Sequence, residues 1–255
     1  MASFRDQGLV LRHYNLGEAD RIIVLFTRAH GLLRCVAKGV RRTRSRFGAR
    51  LEPFTLIDVQ IYPGRNLNAI TEAVTVETFN ARIVADYERY TAAASVLEAV
   101  ERLLGEEEQP NPQLFDLTVG VMGALSYGRR SPQQMVDTYL LRAMAEAGWA
   151  PELDKCAVCG AEGPHQAFHP AAGGVVCVKH RPPGSATPMA GVLEYLRSLR
   201  DARWDRADSI AGDKKLGRRV QEEAHQLIVS HLQWHTERKI TAFDLAAEAE
   251  RGHWR

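Results

Sequence analysis

The chain has 255 residues, enough for two or three small cores, and its 45% hydrophobic and 25% charged content is that of an ordinary globular protein. The net charge of +2 hides an asymmetry: residues 1–80 hold twelve Lys/Arg against seven Asp/Glu, whereas residues 81–154 hold six against twelve. A polyanion partner is therefore expected for the front of the chain and different work for the middle. No apolar run reaches the roughly eighteen residues that a membrane crossing needs, and MASFRDQ lacks the apolar stretch of a secretory signal, so a cytoplasmic location is expected.

The first eighty residues read as five strands, at 7–14, 20–27, 31–38, 54–62 and 68–77. Each is rich in β-branched, aromatic and leucine residues. Turn residues separate them: Asn15 to Gly17, His30 with Gly31, and Pro63 to Asn66. Five short strands in this length fit a small closed barrel of the OB type; an SH3-like barrel or a sandwich fits the pattern too. Cys35 falls within a strand and reads as a small core residue.

The period then changes. Ile83, Tyr87, Tyr90, Ala94, Leu97, Val100 and Leu104 recur at the spacing of one helical face, predicting a helix over 80–104 that Glu106, Glu107, Glu108 and Pro110 end. Asn111 with Pro112, Ser131 with Pro132 and Thr187 with Pro188 each look like a cap followed by a first helical residue. Gly148 stands where the second of these helices should stop. A last helix is expected over roughly 216–235. The fold class is therefore α+β: a barrel at 1–79, then an α-helical domain at 80–154 and 185–240. An insertion at 155–184 interrupts that domain, and a C-terminal tail follows at 241–255.

The insertion carries three of the four cysteines. Two residues separate Cys156 from Cys159 in CAVCG, and two separate Cys177 from His180 in CVKH. Each short pair can wrap one edge of a coordination tetrahedron, with Gly160 supplying the free backbone of a knuckle turn. Zinc held by Cys156, Cys159, Cys177 and His180 is expected, with His165 and His169 as rival fourth ligands. Four protein ligands leave no position for an activated water, and no Glu adjoins the histidine. The metal is therefore read as structural, replacing a core that some thirty residues cannot build.

Residues 38–50 hold six cations and no acid. Gly39, Thr43, Ser45 and Gly48 argue against a continuous helix, and the segment joins two strands of the barrel. Such a loop can neutralise several phosphates and release their counterions, while guanidinium groups match phosphate oxygens. The candidate contacts are Arg34, Lys38, Arg41, Arg42, Arg44, Ser45, Arg46 and Arg50. Few aromatics are available for stacking, so backbone contact is favoured over base readout.

Other groupings carry less. Glu18 and Asp20 sit at a turn and read as solvated or paired with Arg21. His231 and His235 share a helix face without a third ligand and read as surface or core histidines. There is no phosphate-binding lysine loop, nucleophile elbow or dinucleotide fingerprint. The chain is thus expected not to be an enzyme. The alternatives are a zinc-dependent nucleic-acid enzyme and a basic zinc-ribbon transcription or translation factor.

Together these features resemble the bacterial recombination mediator family RecO. The resemblance rests on residues 9–62, above all on Gly17-Glu18-Ala19-Asp20-Arg21, Ala37-Lys38-Gly39, Ser45-Arg46-Phe47 and Leu51-Glu52-Pro53-Phe54, with a weaker match at 67–72. Beyond residue 80 it rests on layout and on the Cys-rich insertion, where many members have a fourth cysteine and this chain has His180. The resemblance implies an OB-fold domain that binds single- and double-stranded DNA and annealing of complementary strands. It also implies partnership with RecR and with the C-terminal tail of single-strand-binding protein, so that RecA loads onto coated DNA.

Overall fold

The computed structural model describes residues 2–105, 109–128 and 130–236. Glu106, Glu107 and Glu108, expected to end a helix, and the expected tail at 241–255 lie outside the described residues. The chain divides into two compact units, one of described residues up to Met135 and one of described residues from Val136 on. This division falls inside a helix and not at the changes of sequence pattern near 80, 155 and 185.

In the first unit, β1 (Phe4–Leu16), β2 (Asp20–Thr27), β3 (Gly31–Ala37), β4 (Thr55–Tyr62) and β5 (Asn68–Thr78) form a closed barrel in the order β1-β2-β3-β5-β4. This is the five-stranded OB arrangement. All pairings are antiparallel except the short parallel closure of Cys35 on Asn68 and Val36 on Ala69. Alternating apolar positions fill the interior: Val10, Ile23, Leu25, Leu33, Cys35, Ile57, Val59, Ile61 and Ile70 are all buried. β1 outruns its predicted ends because its start pairs with β4 and its end with β2, up to Leu16 opposite Asp20. A bulge between Val10 and Arg12 lets the strand change its twist part-way.

The helix expected over 80–104 is two helices, α1 (Asn80–Val84) and α2 (Tyr87–Leu104). Asp86 breaks them: its backbone is extended, and its carboxylate accepts the Arg89 N–H at 3.0 Å as an N-cap. α3 (Pro112–Tyr127) starts as expected, with the Asn111 side chain accepting the Leu114 N–H at 2.9 Å. Ion pairs from Arg12 to Glu101 and from Arg28 to Asp116 tie the barrel to α2 and α3. α4 (Pro132–Glu146) opens on Ser131, whose hydroxyl accepts the Gln134 N–H at 3.2 Å.

In the second unit, α5 (Val192–Arg200), α6 (Trp204–Ala211) and α7 (Gly217–Thr236) pack on one another, and the buried Asp137 carboxylate of α4 meets His225 of α7 at 2.7 Å. Thr187 and Pro188 do not start α5. It begins four residues later, after Gly191 at φ +95°. α6 escapes periodicity because Ala207 is its only buried residue. The Cys-rich segment carries a two-stranded hairpin, β6 (Ala167–His169) and β7 (Gly174–Val176). The core beneath it consists of Cys156, Ala167 and Val176, with Ala172 and Cys177 against them. Phe168 and Val175 of the hairpin are buried as well, yet so few residues do not fill a core, so this segment needs another source of order.

Candidate nucleic-acid interface and metal centre

Residues 38–50 leave β3, run through turns and end in a short 3-10 turn, Gly48–Leu51, before β4. Val40, Phe47 and Leu51 point inward and belong to the barrel core. Lys38, Arg41, Arg42, Arg44, Arg46 and Arg50 are exposed, and Ser45 is half-buried. Apolar anchors therefore hold the loop while its cations face water. The hydrogen bonds those cations make go to main-chain oxygens: Arg41 donates to Gly17 at 3.2 Å, and Arg50 donates to Arg46 at 2.8 Å and to Phe47 at 3.3 Å. The Arg46 guanidinium lies 4.9 Å from the Phe47 ring centre. None of the six has a carboxylate within ion-pair distance among the described residues, so their charge is uncompensated locally. Ser45 is turned inward, its hydroxyl accepting the Phe47 N–H at 3.2 Å.

The loop is clamped at both ends. Asp20 accepts the Gly39 N–H at 2.7 Å, where Gly39 has φ +68°. Past the other end, Glu52 accepts from Arg21 at 2.8 Å and pairs with His13 at 3.1 Å. Burial works against the charged Glu52, but Arg21 and His13 hold its carboxyl below the usual range.

Arg34 lies on β3, apart from the loop in sequence, and lines a cleft of about 610 Å³. The β4–β5 connection, with Arg65 and Asn66, forms another wall, and Phe4 stacks on His30 at 4.1 Å at one side. This is the β3 face and β4–β5 loop that OB folds use for oligonucleotides.

In the second unit, Cys156, Cys159, Cys177 and His180 converge, with their donor atoms within 4.8 Å of one another. The Cys159 and Cys177 sulfurs are 4.0 Å apart, and His180 Nδ1 is 3.3 Å from the Cys177 sulfur. Gly160 takes φ +69°, and its N–H returns to the Cys156 carbonyl at 2.8 Å, closing the expected knuckle. The Cys156 thiol is pulled down to about 6, first by the Cys177 N–H at 3.3 Å and then, against burial, by the N–H groups of Cys159 and Val158. Such thiolate character suits a metal ligand. His165 is turned elsewhere, donating from Nε2 to the Ala161 carbonyl at 2.8 Å, and His169 is not part of the cluster. The four residues can hold a metal ion.

Two family models match the chain. The one described as Recombination protein O N terminal matches residues 1–79, and the one described as Recombination protein O C terminal matches residues 84–242. The chain belongs to the recombination protein O family. Members of this family are recombination mediators that act in DNA repair and bind DNA. No helix among the described residues is long and apolar enough to cross a membrane.

For this RecO chain, reading the sequence missed Arg65 and Asn66, which look like ordinary turn residues until the barrel closes. It also missed the clamping role of Asp20, Arg21 and Glu52. The alternation of acid and base at Glu18 to Arg21 was visible, but its partners lie nineteen and more residues away. His231 is a core histidine: it is buried, and its Nε2 donates to the Trp149 carbonyl at 3.0 Å. His235 stacks on Trp149 at 5.9 Å.

Proposed function

We propose that this chain binds single- and double-stranded DNA through residues 38–50 with Arg34, anneals complementary strands, and helps RecA load onto DNA coated by single-strand-binding protein. One observation carries the reading: six exposed cations without carboxylate partners stand on a loop fixed to the barrel by Val40, Phe47 and Leu51. The DNA contacts are Arg34, Lys38, Arg41, Arg42, Arg44, Ser45, Arg46 and Arg50. Ser45 must release Phe47 to contribute its hydroxyl. Fixed cations screen two phosphodiester backbones together, which lowers the repulsion that keeps complementary strands apart. Duplex formation then supplies the driving force, so no catalysis or nucleotide is required. RecR and the acidic tail of single-strand-binding protein are the protein partners in the cytoplasm. The DNA-binding domain spans 1–79, and a helical domain at 80–154 and 185–240 carries the insertion at 155–184 and the tail at 241–255.

The metal is zinc with a structural role. With Zn–S bonds of about 2.3 Å a tetrahedron places two sulfurs about 3.8 Å apart, close to the 4.0 Å between Cys159 and Cys177. Three thiols and an imidazole fill all four positions, and the small set of buried residues around them explains why a staple is needed.

Purified protein should accelerate annealing of complementary oligonucleotides without nucleotide and without cleaving them. Metal-dependent nicking, or no acceleration at low salt, overturns the reading.

A further inference from the structure

The three thiols of the metal cluster stand in unlike surroundings. Cys156 is buried, whereas Cys177 is half-buried and Cys159 is exposed. The Cys156 backbone is held on both sides: its N–H donates to the Ala161 carbonyl at 2.9 Å, and its carbonyl accepts the Gly160 N–H at 2.8 Å. Its sulfur accepts the Cys177 N–H at 3.3 Å, so part of its lone-pair density is already engaged.

The other two sulfurs, of Cys159 and Cys177, lie 4.0 Å apart. Their neighbours do not shield them. Val158, beside Cys159, is 53% exposed, and Val178, beside Cys177, is 94% exposed, so both knuckles face solvent. Oxidants reach accessible thiolates first, and a second thiol close by turns the first oxidation product into a disulfide. The fourth cysteine is an internal comparison, since Cys35 is buried in the barrel core.

We propose that Cys159 and Cys177 form an oxidation site: a peroxide joins them in a disulfide and withdraws two of the four metal-holding residues, while Cys156 stays reduced. The loss of metal rests on the zinc reading above; the choice of pair does not.

The step balances with hydrogen peroxide as oxidant. The Cys159 thiolate attacks one peroxide oxygen, the O–O bond breaks and hydroxide leaves, giving a sulfenic acid. The Cys177 thiolate attacks that sulfur, the S–O bond breaks, a second hydroxide leaves and the S–S bond forms. Two electrons pass from the sulfurs to the peroxide, and two solvent protons convert both hydroxides to water. Cys156 and His180 then remain, too few to close a structural site of four ligands. Oxidation thus unstaples the insertion, while the loop at 38–50, which holds no cysteine, keeps its cations.

The test treats the full chain, its zinc content measured first, with excess hydrogen peroxide. A chromophoric chelator follows zinc release. Free thiols are then alkylated in denaturant, and the chain is cleaved after Glu162, which separates Cys177 from Cys156 and Cys159. Peptide mass spectrometry without reduction should find one Cys159–Cys177 disulfide per zinc released, with Cys156 and Cys35 alkylated. That pair should exceed any disulfide containing Cys156 by at least about tenfold. A thiol reductant with added zinc should reverse both changes. Oligonucleotide affinity should stay within about threefold, while the first thermal transition falls.

Disulfides of Cys156 as abundant as those of Cys159 with Cys177 overturn the proposal. So do thiols that stay free, or that pass to sulfinic acid without pairing, under a dose that oxidises an unstructured dithiol peptide. If the untreated chain holds no zinc, the metal reading falls alone, and the mapped pairing still decides the oxidation site.

Discussion

The carboxylate of Asp20 accepts the backbone N–H of Gly39 at 2.7 Å, while its neighbour Arg21 holds Glu52 at 2.8 Å. Two adjacent residues of β2 thus fix both ends of the cationic loop. Charge and geometry make opposite demands on Asp20. Removing an acid beside a polyanion site strengthens DNA binding if charge alone matters. Asp20→Ala should instead weaken it, because Gly39 loses its anchor, at a cost to the fold of about 1–2 kcal/mol. Titration with a labelled oligonucleotide reads the sign; tighter binding would remove the clamp from the account.

Changing Arg41, Arg42, Arg44 and Arg46 together to Gln should weaken binding to all DNA sequences alike. The slope of log affinity against log salt should flatten by up to about 3 for single strands, at about 0.7 per phosphate contact. Two oligonucleotides of different sequence, each titrated at several salt concentrations, give the measurement. A loss confined to one sequence would mean that bases are being read.

Cys156→Ser removes the most buried of the four residues that can hold a metal. Structural zinc contributes on the order of 10 kcal/mol to a small module, so the variant should lose the metal and its insertion should unfold first on heating. Elemental analysis and a thermal melt check this. DNA affinity should change little, because the cationic loop lies in the other unit. If affinity falls while the melt stays the same, the metal serves the interface and not the fold.

Burial pushes the His231 imidazole down to about 4; its bond to the Trp149 carbonyl opposes the shift and His235 adds to it. In the unfolded chain the group titrates near its ordinary value of about 6.5, so the unfolded state takes up the proton first as pH falls. The stability that neutral His231 contributes is complete above about 6.5 and declines towards about 4, by roughly 3 kcal/mol in all. His231→Gln should flatten the fall of the unfolding midpoint across that window. An identical slope would show that other groups set the acid limb.

The barrel was legible because each strand alternates around a core that its own residues fill, as at Ile57, Val59 and Ile61. The metal cluster was legible because two short spacings fix local geometry before any tertiary contact forms. What was hidden depends on distant partners. Asp86 breaks a helix that periodicity shows as continuous, since Ile83 and Tyr87 stay in phase across the gap. Thr187 with Pro188 has the look of a start, but the chain turns at Gly191 instead. The walls of the Arg34 cleft come together only when β3 meets β5, two strands far apart in sequence.

β1 is hydrogen-bonded along both flanks, to β4 from Phe4 to Leu9 and to β2 from Gly8 to Leu16, with one bulge between. Side chains on a strand alternate, so deleting a single residue there turns every later position inside out against the strand it pairs with. Leu9, Val10 and Leu11 are all buried, which leaves no tolerant face to absorb the slip. The first strand can therefore vary in composition but not in length.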